Sequence, residues 1–320
     1  MILDDSLRAS SPTHSGPARD EIGRSIRKRK ATAAIAASVF FACAMSSIAI
    51  TCGIVGVLLF ESSSFFAHVS FTEFFTDTVW TPLANDKPHH GILPLLCGTL
   101  VTTAVALSVA LPVGTIVAIY LSEFAPSGVR EVIKPLLELL SAVPTVVYGF
   151  FALEFVSPLL KAYLFPGMPT LNMLGAGIVM GIMIIPYVSS LSEDAMRSVP
   201  MLLREGSYGM GANRLQTSLN VVLPAALSGI ASAYVLGISR AIGETMIVAI
   251  AAGIKPSLTL DPRQQGQTIT AFIVEVAGGE SIPGSKAYNS LFAAGITLFA
   301  MTLLLNIIGY YLRKRFRQAY

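Results

Sequence analysis

Polar and apolar positions fall in long blocks along this chain, not in the short alternation of a soluble fold. Six apolar blocks lie at about 33–60, 93–121, 135–160, 171–191, 222–252 and 289–312. Each reaches the roughly 20 residues a helix needs to cross the hydrocarbon core of a bilayer. They predict an all-α membrane protein, a six-transmembrane-helix bundle spanning 31–320. The third block is the weakest, because Glu138, Pro144 and Glu154 interrupt it. Pro112, Pro144 and Pro186 are tolerable inside such helices where neighbours satisfy the freed carbonyls. Residues 1–30 lack apolar periodicity and predict a disordered, basic cytoplasmic tail. The first block follows basic residues, as a secretory signal does. It is longer than a signal's apolar region and begins beyond a 30-residue leader.

Composition agrees: 53% of residues are hydrophobic and 13% charged, against about 25% charged in soluble domains. A net charge of +3 is too small to point to nucleic acid. Cys43, Cys52 and Cys97 all fall in apolar blocks without CxxC spacing and read as small embedded side chains. The placement of Lys and Arg carries more information. With the N-terminus inside, 16 fall in inside segments and five outside, Arg240 being within a block. Both termini are therefore expected in the cytoplasm, and the chain in the inner membrane as a multi-pass protein. The long outside loops, about 61–92 and 253–288, hold Trp80, His89, His90 and Asp261. They read equally as irregular caps or as a docking surface for an outside partner. His89 and His90 have no ligand cluster near them in sequence, so no metal site is expected.

The inside loop 192–218 carries helix signals of its own. Ser190-Leu-Ser-Glu193 fits a capping box. Ser198 can cap a second short helix with Pro200 in its first turn. Then come Glu205, Gly206, Ser207, three residues, Gly211, nine residues, Val221, one residue, Leu223 and Pro224. This spacing resembles the EAA loop of ABC-importer permeases, with Gly206 and Ser207 in place of two alanines and Val221 in place of isoleucine. Gly206 weakens a helix by up to roughly 1 kcal/mol relative to Ala. The resemblance implies the ABC type I importer permease fold and a coupling helix seated in a groove of an ATPase subunit. Leu202, Leu203 and Met210 are then its apolar contacts, with Arg204 and Glu205 at the rim. No GxxxxGK[ST] phosphate loop occurs. The chain is expected to be a transport subunit, not an enzyme, binding no cofactor while a partner uses ATP.

Arg240 and Glu244 lie inside the fifth block. A charge at the bilayer centre costs at least roughly 2.5–3.5 kcal/mol. Four residues apart on one helix, the two share a face and can pair. Gly237 and Gly243 admit a close neighbour. The pair is either a self-neutralising lock or part of a pathway with Thr245, in which Arg240 attracts an anion. The planar guanidinium suits phosphate-like oxyanions. Glu244 would hold Arg240 when the site is empty and keep binding weak enough for exit.

Three further stretches, Ala142-Val-Pro144-Thr-Val-Val-Tyr148-Gly149, Ile185-Pro186 through Arg197, and Arg240 through Met246, look like phosphate permeases, most of all the PstC type. The similarity runs from about residue 30 to the end. It implies an ATP-driven phosphate importer with a second, PstA-type permease, two PstB-type ATPase subunits and an outside PstS-type phosphate-binding protein. It also places Arg240 and Glu244 among the transport residues. The alternatives are an ABC permease for sulfate or molybdate, or an ion-coupled secondary transporter. The latter usually shows an internal repeat, and none is visible here. A membrane enzyme is disfavoured, since no HExxH or GxSxG occurs.

Overall fold

The computed structural model describes residues 17–84, 88–279 and 284–316. The chain divides into two units, one ending at Val57 and one running from Leu58 to Tyr320. Helix α1 (Pro17–Phe66) supplies the first. It begins inside the stretch expected to be a disordered tail, so 17–30 are helical, while residues 1–16 lie outside the described residues. Its apolar side chains, Phe40 and Ile50 among them, are exposed, as a lipid-facing helix requires.

The second unit contains α2 (Phe71–Thr76), α3 (Leu93–Ile119), α4 (Ser127–Ala142), α5 (Thr145–Phe151), α6 (Ser157–Tyr163) and α7 (Met173–Arg197). After these come α8 (Met201–Gly209), α9 (Arg214–Thr217), α10 (Leu223–Ala225), α11 (Leu227–Ile242), α12 (Met246–Ala251), α13 (Ile269–Gly278) and α14 (Lys286–Phe316). Among the described residues five helices are long and apolar enough to span, or six with the bent pair 214–225 and 227–242 counted as one.

Helix α7 is the axis of the bundle, because its small residues let α3 approach closely. A Cβ on Gly181 would lie 2.7 Å from the Ala106 carbonyl oxygen, and one on Gly177 2.7 Å from Val105. At the other end of the same seam a Cβ on Gly114 would lie 2.8 Å from Val188. We predict that Gly181→Val, which overpacks this seam, costs about 1–3 kcal/mol and lowers the unfolding temperature of the detergent-solubilised protein. Gly128→Val, where nothing lies within 4 Å of the added carbon, serves as the control.

The main core runs along this axis through Ala106, Met180, Met183, Ile184, Val188 and Ile247. A second cluster fills the end of the bundle that carries α2. There Phe74, Trp80, Ile92 and Phe272 pack, with the Trp80 and Phe272 rings edge to face at 5.0 Å. The loop 61–92 is therefore a packed cap, closed by a bridge between Trp80 and His90. The His89 Nδ1–H donates to Asp77 at 2.9 Å, and this hydrogen bond holds the Asp77 carboxyl below the usual carboxylate range. The third cluster, with Ala118, Met196, Val199, Val222 and Ile230, fills the opposite end.

Three sequence expectations change. The third span starts at Thr145, because Val143 and Pro144 are extended and break the helix. Residues 135–142 belong instead to α4, an amphipathic helix with Val132, Leu136 and Leu139 exposed. The fifth block is not one helix: the chain turns by 72° at Ala226 and breaks again at 243–245. The loop 253–288 holds the short apolar helix α13, with Ile269 and Phe272 buried. Gly98 makes room for the strand of chain leading into it, since a Cβ there would lie 2.3 Å from the Gln267 carbonyl oxygen.

Candidate functional site

Arg240 stands in the last turn of α11, about 20 Å along the helix from the corner at Ala226. Arg240 thus lies within the apolar bent pair 214–225 and 227–242, which counts as one span. Its guanidinium carbon lies 4.3 Å from the centre of the Tyr187 ring on α7. Among the described residues its buried Nε has no hydrogen-bond acceptor, and the neighbouring Ser239 hydroxyl has no partner. A buried donor left unmade costs about 1–3 kcal/mol, so the site is poised for an acceptor.

Glu244 does not answer Arg240. The i, i+4 pairing expected from the sequence fails, because α11 stops at Ile242 and Gly243 begins a break that turns the next residues. Glu244 is 8% exposed. Its Oε1 accepts the N–H groups of Met246 at 3.2 Å and Ile247 at 3.4 Å, which caps α12. The positive end of that short helix partly offsets the carboxylate charge. Its backbone carbonyl accepts the Thr270 hydroxyl at 2.7 Å. Thr99, Thr102, Thr103, Thr268 and Thr270 pack around it and leave no space large enough for a water molecule. Thr245 is half-buried and its hydroxyl donates to the Gly243 carbonyl at 3.2 Å. The arginine and the carboxylate thus serve two separate environments: one with unfilled donors, one lined by hydroxyls.

At the far end, α8 is the short amphipathic helix that the loop 192–218 predicts. Gly206 lies within it, and it ends at Gly211, whose φ of +87° only glycine adopts without strain. Leu202 is 78% and Met210 90% exposed, and Glu205 is exposed as well. Ser190 caps nothing, since it lies inside α7. Ser198 closes α7, and Pro200 stands at the start of α8 without a side-chain cap.

Arg204 departs from expectation. It is 8% exposed and turned toward its own bundle, not at a rim. Its NH2 donates to Glu123 at 3.0 Å and to the Met196 carbonyl at 2.8 Å, and its NH1 to the Val199 carbonyl at 2.6 Å. The helix is thereby pinned to the end of α7 and to the π-helical turn Tyr120–Phe124 that follows α3. Ser207 exchanges a 2.9 Å hydrogen bond with Thr217 on α9. Helix α9 opens with a capping box between Asn213 and Gln216, which the spacing Asn-x-x-Gln spells out and the sequence reading passed over. Leu223 and Pro224 mark the corner: a π-helical turn, Ser218–Val222, runs into them, and the 72° bend follows.

One further device was missed. Glu193 is fully buried yet accepts from Arg130 Nε and Lys134 Nζ, both at 2.8 Å. Lys134 also reaches Asp194 at 2.7 Å. Desolvation pulls the Lys134 ammonium down, but the two carboxylates outweigh it and hold its pKa above the ordinary value. Helix α4 is fastened to α7 by these bonds.

A helical bundle whose longest elements are apolar enough to cross a bilayer, with an exposed helix hung at one end, belongs to the permease class of membrane proteins. The chain belongs to the family of binding-protein-dependent transport system inner membrane components, whose family model matches residues 110–318. Among its relatives is the probable ABC transporter permease protein YqgH of Bacillus subtilis, 36% identical over 92% of each chain. Another is the phosphate transport system permease protein PstC of Xylella fastidiosa, 32% identical over 74% of this chain and 76% of the relative. In fold it is similar to a bacterial ABC transporter involved in the import of alginate, with a TM-score of 0.62 at 14% identity, covering 88% of this chain and 96% of that one. The MetNI methionine ABC transporter gives 0.53 at 16% identity over 71% and 95%.

Proposed function

We propose that this chain forms half of the translocation pathway of an ATP-driven importer of inorganic phosphate. The observation that carries the reading is Arg240: a guanidinium within an apolar span, with a buried donor and, among the described residues, no carboxylate partner. A permanent positive charge with a planar fork of donors recognises a tetrahedral oxyanion by paired hydrogen bonds. The names of its PstC relatives support phosphate as that oxyanion.

In this reading the binding protein delivers phosphate at the α2 end, which faces outside. The ion passes Arg240 at the junction with a second permease subunit. Both termini and α8 face the cytoplasm, as the Lys and Arg distribution favours. The exposed Leu202 and Met210 seat α8 on an ATPase subunit, with Glu205 at the edge of the contact. Burying two such side chains supplies about 1.5–3 kcal/mol each. ATP-driven closure of two ATPase subunits moves α8. The corner at Leu223-Pro224 passes that movement into α11, and so to Arg240. Gly206, Ser207 and Gly211 shape the moving piece. Glu244 and Thr245 flank the pathway, with Glu244 held ready by its backbone cap.

The test is competitive uptake in proteoliposomes carrying the whole importer and its binding protein. Labelled phosphate should be displaced by unlabelled phosphate and not by sulfate or molybdate. Displacement by either of those at equal concentration would make the chain a permease for another oxyanion.

A further inference from the structure

A cleft of about 450 Å³ opens beside α8, lined by Arg197, Arg204, Arg214, Tyr208, Ser122 and Glu123. Three guanidinium groups face one carboxylate there. Glu123 is already engaged by Arg204 at 3.0 Å and by the Ser122 hydroxyl at 2.7 Å. The nearest carboxylate to Arg197 is Glu193, at 3.8 Å, and Glu193 accepts two shorter bonds from Arg130 and Lys134. Arg214 has no ion-pair partner among the described residues; its side chain is exposed. Arg197 thus shares its carboxylate with two closer cations and Arg214 has none, which leaves positive charge in excess in one concave place.

Position on the helix separates this cleft from the ATPase seat. Met201, Arg204 and Tyr208 line it from α8 at spacings of three and four, which is one helical face. Leu202, Glu205 and Gly209 lie at the same spacings on another face, and all three are exposed. The two faces are about 100° apart around the helix, and the cleft, at about 450 Å³, has room for a small ligand.

We propose that this cleft binds a phospho-oxyanion on the cytoplasmic side. Arg197 and Arg214 supply forked donors from the end of α7 and from α9, and the Tyr208 hydroxyl adds a third from α8. An occupant bonded to all three ties α8 to the bundle, so filling the cleft restrains the helix that transmits ATPase movement. Free phosphate is one source of this chemistry and a lipid phosphate headgroup the other. The oxyanion class follows from the cleft alone; that the ion is the transported product rests on the importer reading above.

Binding is measured first, with radiolabelled inorganic phosphate on the purified importer lacking its binding protein. All samples carry Arg240→Gln, so that the pathway site is silent. Adding Arg197→Gln and Arg214→Gln should weaken binding by at least about tenfold. Uptake is measured second, in vesicles loaded with ATP. Millimolar phosphate in the lumen should slow initial uptake several-fold in the wild type and leave the Arg197→Gln/Arg214→Gln protein unaffected. Slowing produced by phosphatidic acid in the vesicle, and not by luminal phosphate, assigns the cleft to a lipid headgroup. Equal phosphate binding with and without the two arginines overturns the proposal. So does loss of the ATPase subunits from the Arg197→Gln/Arg214→Gln complex, which would make the arginines a protein seat. Arginine-dependent binding in a wild type that takes up no phosphate would keep the cleft and sink the importer reading.

Discussion

Arg240→Gln is expected to abolish phosphate uptake, by at least about 100-fold, while the importer still assembles and unfolds within a few degrees of the wild type. Two charge-assisted hydrogen bonds to the passing ion are lost, each worth about 1.5–3 kcal/mol, and together these exceed the 2.7 kcal/mol or so of a hundredfold change. Assembly survives because the guanidinium makes no ion pair in the described structure, only the ring contact with Tyr187. Such a contact contributes about 0.5–2 kcal/mol. Arg240→Lys keeps the charge but not the fork, so it should recover part of the rate. Initial uptake rates, with gel filtration of the solubilised complex, check all three statements. Full uptake by the glutamine variant removes Arg240 from the pathway.

The second large effect belongs to Glu123. Its side chain is 6% exposed, and that of its partner Arg204 is 10% exposed. Glu123→Ala strands a buried guanidinium, and breaking a buried pair from one side costs about 3–5 kcal/mol. The expected result is a lower unfolding temperature together with loss of ATPase coupling, since the anchor of α8 is gone. Glu123→Ala combined with Arg204→Met removes the stranded charge and should restore much of the thermal stability. It should not restore coupling, because the bonds from Arg204 to the Met196 and Val199 carbonyls are missing too. If both variants unfold at the same temperature as the wild type, the pair is not what pins α8.

How much of this was legible beforehand depends on the range of the interaction concerned. The spans were, because twenty apolar residues in a row have few other uses. So were α8 and its glycine stop, since Gly211 sits at a fixed offset from Glu205 and needs a backbone only glycine tolerates. The interruptions inside apolar blocks were read less well. Pro144 sets the start of the third span because the residue before a proline resists the helical region, a signal that the apolar run around it hides. Gly243 followed by Glu244 looked like one more helical turn, yet the carboxylate finds the two N–H groups just beyond it and so starts a new helix. Composition alone does not separate these outcomes. Arg204 was assigned to the wrong side of α8 because its partner, Glu123, is 81 positions away. The Glu193 cluster escaped for the same reason: Arg130 and Lys134 counted only as inside charges, whereas the fold brings them 63 and 59 positions along the chain to one carboxylate.

That cluster has a bearing on when the transporter can work. A cation whose pKa is raised on folding contributes stability that is complete below its unfolded value and fades only as pH climbs through the raised one. For Lys134 that window opens far on the alkaline side of any living compartment. The Lys134 end of this joint therefore keeps its charge when a compartment turns alkaline, and a cell cannot loosen it from that side. Whatever throttles the machine has to act somewhere softer.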